Sequence, residues 1–352
     1  MTPPTTATPS AASPTATPPA MSTRAHVVRL DLNESAYPPL PSVAEVLREQ
    51  VARTNLYPEF LPHSTRRAVA RHLGVDDSMV SVGPGATGVA LQTLHAAVRN
   101  GARRGVDTPE LVTATPTFDG FPILADMAGL RMGGIPLGAR GQVDLTAIHG
   151  AIGSNTVAVI ICSPHNPTGA VVDEAVLLSF LNALPPHLTV IIDEAYIEFS
   201  TAAPDLAGLL HAHLGTVVLR TFSKAYGLAA LRVGYGVGNA RVMAEVQRLE
   251  VPFAVGAPAQ AAVPVALAAH TELAQRVTAM RTQRTRLAQQ LHELGAETLT
   301  SEANFVYLQG DDGIALGSLL TTSGIPVKQV RGHGARVTVG DGCTTEHVLA
   351  AL

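Results

Sequence analysis

The chain has 352 residues, 46% of them hydrophobic and 15% charged, with a net charge of −4. It is long enough for about two domains with sizeable cores. It carries no basic block or long acidic run, which argues against nucleic acid and anionic membrane as main partners, and no apolar run approaches the ~20 residues of a membrane span. Cys162 and Cys343 are the only cysteines, so a disulfide framework is excluded and a reducing, cytoplasmic compartment fits.

Residues 1 to about 24 are mostly Pro, Thr, Ala and Ser. They bury too little apolar surface to offset ordering entropy, and a disordered tail is expected. From Val27 to Asn33 apolar and polar residues alternate, and a proline-rich turn follows at 35–41. Ser42, with Glu45 three residues on, reads as a capping box opening a helix to about Arg53. Asn55-Leu56-Tyr57-Pro58 is a loop. Ser64 reads as the cap of a helix to about Leu73, stopped by Gly74. Strand 79–82 leads into Gly83-Pro84-Gly85-Ala86-Thr87-Gly88 and a helix over 89–98.

Beyond this the chain alternates. Strands are expected at 110–115, 132–136, 157–162, 188–193, 216–221 and 233–237, with helices between several of them, as at 118–129 and 175–184. The pattern predicts an α/β fold with a mostly parallel mixed sheet sandwiched by helices. It breaks at a proline-containing loop, 252–258. Helices near 259–269 and 271–294 and strands at 304–308 and 336–339 predict a smaller α+β C-terminal domain. The expected division is an N-terminal segment, 25–60, partly packing on the small domain, a large domain over 61–250, and the small domain over 251–352.

Three strands end in chemistry. Thr221-Phe222-Ser223-Lys224 follows an apolar strand, and Arg232 lies eight residues beyond the lysine. A lysine in a dry pocket loses pKa and can form a Schiff base, while two hydroxyls and a guanidinium suit a phosphate. Pyridoxal phosphate carries both an aldehyde and a phosphate; the alternative is a solvated surface lysine. Asp193 closes a second strand, where a carboxylate can pair with a pyridinium nitrogen, with Tyr196 one helical turn on; a helix-capping Asp is the alternative. Ser163 to Gly169 follows a third strand and also fits an Asn-Pro turn. Phe118 offers a ring for stacking or for the core. Arg336 offers a fork for a carboxylate or a surface ion pair. His211 and His213 lack the further ligands of a zinc site. Gly83, Gly85 and Gly88 match G-x-G-x-x-G, yet the loop lies well inside the chain and no acidic residue closes the next strand, so it reads as an anion site rather than a dinucleotide site.

Together, Asp31-Leu32-Asn33-Glu34, Leu56-Tyr57-Pro58, Gly83 to Thr87, Ser163 to Gly169, Asp193 to Tyr196, Thr221 to Arg232 and Arg336 to Gly340 resemble the aspartate-aminotransferase superfamily of pyridoxal-phosphate enzymes, in the histidinol-phosphate aminotransferase-like group. The motifs keep the family's order from about residue 27 to the end. The resemblance implies roles. Lys224 would carry pyridoxal 5′-phosphate and shuttle the proton. Asp193 would pair with the ring nitrogen. Asn166 and Tyr196 would bond the ring oxygen, and Phe118 would stack on the ring. Gly85, Ala86, Thr87, Thr221, Ser223 and Arg232 would surround the phosphate. Tyr57 would reach the phosphate of a neighbouring copy, implying a homodimer with shared active sites. Arg336, Asn166 and Lys328 would bind substrate. The implied activity is ping-pong transamination between an amino acid or amino-alcohol phosphate and a 2-oxo acid.

Some residues depart from that pattern. Ala86-Thr87-Gly88 lacks the family's usual acid. Lys328 stands where histidinol-phosphate enzymes usually show an arginine on the substrate phosphate, with Arg331 nearby, and a lysine grips phosphate less well. His165 replaces a frequent asparagine. A substrate other than histidinol phosphate is therefore expected. Competing readings are another reaction at Cα, such as threonine-phosphate decarboxylation, cyclisation or elimination; a dinucleotide oxidoreductase; and a non-catalytic binding protein.

Overall fold

The computed structural model describes residues 29–352; the expected tail and the start of the first alternating segment lie outside them. In chain order the elements are α1 (Pro41–Val51), α2 (His63–Leu73), β1 (Val80–Gly83), α3 (Gly85–Ala102), β2 (Glu110–Thr115), α4 (Gly120–Met127), β3 (Arg131–Pro136) and α5 (Leu145–Ala151). Then come β4 (Thr156–Cys162), α6 (Glu174–Ala183), β5 (Thr189–Asp193), α7 (Leu206–Ala212), β6 (Thr216–Thr221), β7 (Gly234–Gly238), α8 (Ala240–Gln247), α9 (Ala257–Ala268) and α10 (His270–Glu293). The chain closes with β8 (Thr298–Leu299), β9 (Phe305–Gln309), α11 (Gly310–Thr322), β10 (Lys328–Val330), β11 (Gly334–Thr338) and α12 (Gly342–Ala350).

A seven-stranded sheet runs β1-β7-β6-β5-β4-β2-β3, and a four-stranded one runs β10-β11-β9-β8. In the larger sheet β3, β2, β4, β5 and β6 are mutually parallel and β7 is antiparallel to both its neighbours. The smaller sheet is antiparallel throughout. This is the expected α/β architecture. Helices cover both faces of the parallel set, so its central strands bury both faces and read as unbroken apolar runs. All seven residues of β4 are buried. Each fully buried Val, Ile or Leu contributes about 1.5–3 kcal/mol.

One core layer unites Val159, Ile161, Val190 and Ile192 with residues of α1, α2 and α9. The other packs α3, α4 and α8 on the opposite face. Thus α1 and α9 pack with the large sheet, and the extended segment before α1 reaches the small one, where Leu30 bridges Val327.

Two expected caps fail. Ser42 is the second residue of α1, whose start at Pro41 has no side-chain cap; its hydroxyl instead donates to Glu272 of α10 at 3.1 Å. Ser64 is likewise the second residue of α2, and its N–H is satisfied by the Glu59 carboxylate at 2.9 Å. Local spacing favoured a serine cap in both places, but a carboxylate outside the helix took the bond: Glu272, 230 residues from Ser42, and Glu59, five residues before Ser64. Gly74 ends α2 as expected, at φ +68°. Helix α3 begins four residues before the expected Val89, directly on the glycine loop. Helices α5, α7, α8, α11 and α12 were not expected. Three of them, α5, α7 and α12, open on an aspartate whose carboxylate accepts an N–H three residues on: Asp144, Asp205 and Asp341.

Candidate active site

The C-terminal ends of the parallel strands converge on one cleft of about 870 Å³, closed from the other side by the loop and strand of the small sheet. Ligands bind at such ends because the loops, not the strands, carry free polar groups there. The loop after β2 brings Phe118, that after β4 brings Asn166, β5 ends in Asp193, and that after β6 brings Lys224; all line the cleft with Arg336 of β11.

At one end, α3 starts without a side-chain cap and without an acid in its first turn. Its Ala86 and Thr87 line the cleft. Opposite, Thr221 Oγ1 donates to Ser223 Oγ at 3.0 Å, and Arg232 Nη1 reaches Ser223 Oγ at 3.4 Å and the Ala229 carbonyl at 2.9 Å. Gly85 holds φ +76°, and a Cβ there would sit 2.5 Å from Arg232 Nη2. Only a bare α-carbon lets the helix start and the guanidinium approach so closely. Free N–H groups, two hydroxyls and a guanidinium with no carboxylate among them fit a phosphate dianion. The glycine loop therefore serves this cradle. Its strand β1 pairs antiparallel with β7 at the sheet edge, whereas a dinucleotide motif opens a parallel βαβ unit.

In the middle, Lys224 Nζ donates to the carbonyls of Asn33 and Leu32 at 3.0 and 3.4 Å and lies 5.7 Å from the Tyr196 ring centroid. Burial, helped by the Arg336 charge and opposed by Asp193, brings its amine down to about 8. Asp193 accepts the Ala195 N–H at 3.0 Å, and burial pushes its carboxyl up to about 6. A carboxylate so desolvated gains most from a protonated partner. Burial also raises Tyr196 to about 12, so its hydroxyl stays protonated near neutrality. The Arg336 guanidinium donates to Asn166 Oδ1 and the Asp31 carbonyl, both at 2.6 Å. Its Nε is buried without a partner among the described residues. Arg336 occupies the middle of β11, not its start as expected.

The mouth differs. Lys328 pairs with Asp119, and both are partly or largely exposed. Phe118 packs edge-on against Phe121 with centroids 5.4 Å apart. Tyr57 lies outside the cleft, 83% exposed and against Phe253. His165 does not face the cleft. It is buried, with Nε2 3.0 Å from the Pro116 carbonyl, and desolvation lowers it to about 4. It is thus a neutral tie between the loops bearing Phe118 and Asn166.

One cleft residue carried no expected role. Asn33 is buried and joins Tyr196, Lys224 and Thr338. The signal was its place at the end of the alternating segment, in Asp31-Leu32-Asn33-Glu34.

The family model "Aminotransferase class I and II" matches residues 25–352. An aromatic amino acid aminotransferase of Cutibacterium acnes is 36% identical over 330 residues, 93% of this chain and 92% of that one. One of Corynebacterium jeikeium is 38% identical over 340 residues, 94% of this chain and 89% of that one. The histidinol-phosphate aminotransferase of Sinorhizobium meliloti, solved with pyridoxal 5′-phosphate, superposes with a TM-score of 0.82 at 26% identity, over 93% of this chain and 89% of that one. An L-threonine-O-3-phosphate decarboxylase of Porphyromonas gingivalis shares the fold, with a TM-score of 0.77 at 23% identity, over 92% of this chain and 98% of that one. The chain belongs to the class I and II aminotransferases and is a pyridoxal-phosphate-dependent aminotransferase. Among the described residues no helix is long and apolar enough to cross a membrane.

Proposed function

We propose that this aminotransferase takes aromatic L-amino acids as amino donors and a 2-oxo acid as acceptor, working as a homodimer. The observation that carries the substrate is the composition of the cleft mouth. Leu32, Phe118, Pro122 and Val330 line the cleft beside Lys328, with Arg331 and His333 also on its wall, and the lysine at the phosphate-gripping position is already engaged by Asp119. An apolar wall favours a ring, and a neutralised cation offers little to a phosphate monoester. The relatives named as aromatic amino acid aminotransferases, 36–38% identical, support the same reading.

Bound pyridoxal phosphate supplies an aldehyde that condenses with amines and a protonated ring that draws electrons from the substrate α-carbon. The side chains do the rest. Arg232, Ser223, Thr221 and the N–H groups of Ala86 and Thr87, with Gly85 giving them room, hold the phosphate. Asp193 would hold a proton on the ring nitrogen. Tyr196 and Asn166 would hydrogen-bond the ring oxygen, and Phe118 would supply a stacking surface. Arg336, with Asn166 on one arm, grips the substrate carboxylate and so aligns the α-carbon with Lys224. With the cofactor bound, the Lys224 amine, whose ammonium form burial disfavours, would be the group that takes up the α proton and gives it back. Lys328 closes the mouth over the substrate's distal part. Tyr57, exposed on one copy, reaches the phosphate end of its neighbour, which gives a dimer with shared sites.

The test is a donor panel with the purified holoenzyme. Phenylalanine and tyrosine are expected to bleach the visible band and form the matching oxo acids, at a kcat/KM at least about tenfold above histidinol phosphate, the factor that about 1.4 kcal/mol of pocket selectivity gives. Histidinol phosphate as the best donor overturns the substrate. Carbon dioxide release from threonine phosphate without an oxo product overturns transamination in favour of decarboxylation.

A further inference from the structure

Asn33 has φ +54°, a left-handed conformation that few residues other than glycine adopt and that asparagine tolerates best. It is 1% exposed, and every polar group it owns is engaged. Its N–H donates to Thr338 Oγ1 at 3.2 Å, and its Oδ1 lies 2.9 Å from that hydroxyl, whose one proton it shares with the Leu30 carbonyl at 2.7 Å. Its Nδ2 donates to the Tyr196 hydroxyl oxygen at 2.9 Å. Its carbonyl accepts from Lys224 Nζ at 3.0 Å and Asn304 Nδ2 at 3.4 Å. Thr338 lies on the strand that carries Arg336. One residue therefore links the small sheet to two groups of the large one.

We infer that Asn33 is a positioning residue of the transamination centre: its backbone carbonyl is the rest for the free Lys224 amine, and its side-chain amide sets the direction of the Tyr196 hydroxyl proton. The inference rests on the roles proposed above for Lys224 and Tyr196. An amide N–H can only donate, so the Tyr196 oxygen accepts from Asn33 and its own O–H is left to point into the cleft. Tyr196 then serves as a donor to the cofactor's ring oxygen. A neutral amine has two N–H bonds and one lone pair. With N–H groups on the Asn33 and Leu32 carbonyls, the lone pair is directed away from them, available to take a proton. The left-handed backbone makes both contacts compatible, because it turns the carbonyl toward Lys224 while the side chain reaches Tyr196.

Three variants of the full-length holoenzyme separate the two contacts. Asn33→Gly keeps the left-handed backbone and removes the amide. Asn33→Asp keeps size and conformation and removes the donor. Asn33→Val cannot hold this φ without strain and moves the carbonyl as well. A Tyr196 proton no longer held toward the cleft donates less well to an anionic ring oxygen, and the adjacent nitrogen then holds its proton more tightly. In Asn33→Gly and Asn33→Asp the pH midpoint of the bound cofactor's visible absorption is therefore expected to rise by about half a unit or more, and kcat to fall about tenfold with KM within about threefold. In the apoproteins, the pH midpoint of Lys224 modification by an amine reagent is expected to stay at the wild-type value in Asn33→Gly, to rise in Asn33→Asp, whose carboxylate favours the ammonium form, and to shift in Asn33→Val.

An unchanged absorption midpoint with kcat within about twofold of wild type in both Asn33→Gly and Asn33→Asp overturns the inference, even if melting temperature or cofactor affinity falls; Asn33 would then only build the fold. If Asn33→Gly does not fold, the isosteric Asn33→Asp decides alone. A wild-type protein without a visible band or transamination would instead sink the roles of Lys224 and Tyr196.

Discussion

The chain contains two lysines, Lys224 and Lys328, and they stand at the inner end and the mouth of one cleft. Lys224 follows a parallel strand of the large sheet, faces backbone carbonyls and is depressed to about 8 by burial. Lys328 begins an edge strand of the small sheet, is 36% exposed and is paired with Asp119. The inner site is built from strand ends whose side chains packing locks in place, where low dielectric gives each charge a large effect. The mouth is built from loops and a sheet edge in contact with water, where charges are screened and ion pairs contribute about 0–1 kcal/mol. Bond making belongs at the first kind of place and substrate choice at the second, since loop positions change without disturbing the core.

This contrast orders the expected effects. Lys224→Ala should abolish transamination, by at least about 10⁴-fold, since both the covalent anchor and the proton carrier go. Single-turnover assays check it, and residual turnover within about 10²-fold of wild type would break the distinction outright. Asp193→Asn keeps the shape and removes the carboxylate. Losing one partner of a buried ion pair costs about 3–5 kcal/mol, so kcat should fall about 10²–10³-fold with melting of the apoprotein little changed. Arg336→Lys loses the fork but keeps the charge. A lost charged hydrogen bond of about 1.5–3 kcal/mol should raise KM for every amino acid donor about 10–10²-fold, with kcat affected less.

The pH dependence sharpens the same contrast. Reagents attack the neutral amine, so modification of Lys224 in the apoprotein should rise about tenfold per unit up to pH near 8 and then level off. Lys224→Ala protein supplies the background from Lys328. A Lys224 curve still climbing steeply at pH 10 would mean that burial does not depress the amine. At the small end, Lys328→Met should change kcat/KM for aromatic donors by no more than about threefold, as an exposed ion pair predicts. A loss of about 10²-fold would make Lys328 a main source of binding energy and overturn its assignment as an exposed closure of the mouth.

The residues at the inner site were readable because each sits where a local pattern changes. Buried strands read as apolar runs, and Asp193, Asn166 and Lys224 are cleft-lining polar groups at or just after such runs. The caps were misread for the opposite reason. Ser42 and Ser64 have the local spacing of caps, yet Glu272, 230 residues from Ser42, and Glu59 take their hydrogen bonds. Three missed helices did announce themselves through Asp144, Asp205 and Asp341, whose capping bonds are local and short in sequence.

By itself, then, the sequence determined the alternation of strands and helices, the strand ends that carry Phe118, Asn166, Asp193 and Lys224, and the glycines that let α3 begin against Arg232, because period, burial and backbone freedom are encoded within a few residues. Tertiary structure alone decided that Lys328 meets Asp119, that His165 turns into the core rather than the cleft, and that Asn33 joins Lys224, Tyr196 and Thr338 across separations of 191, 163 and 305 residues. Such contacts depend on how two sheets face one another, and no spacing along the chain carries that information.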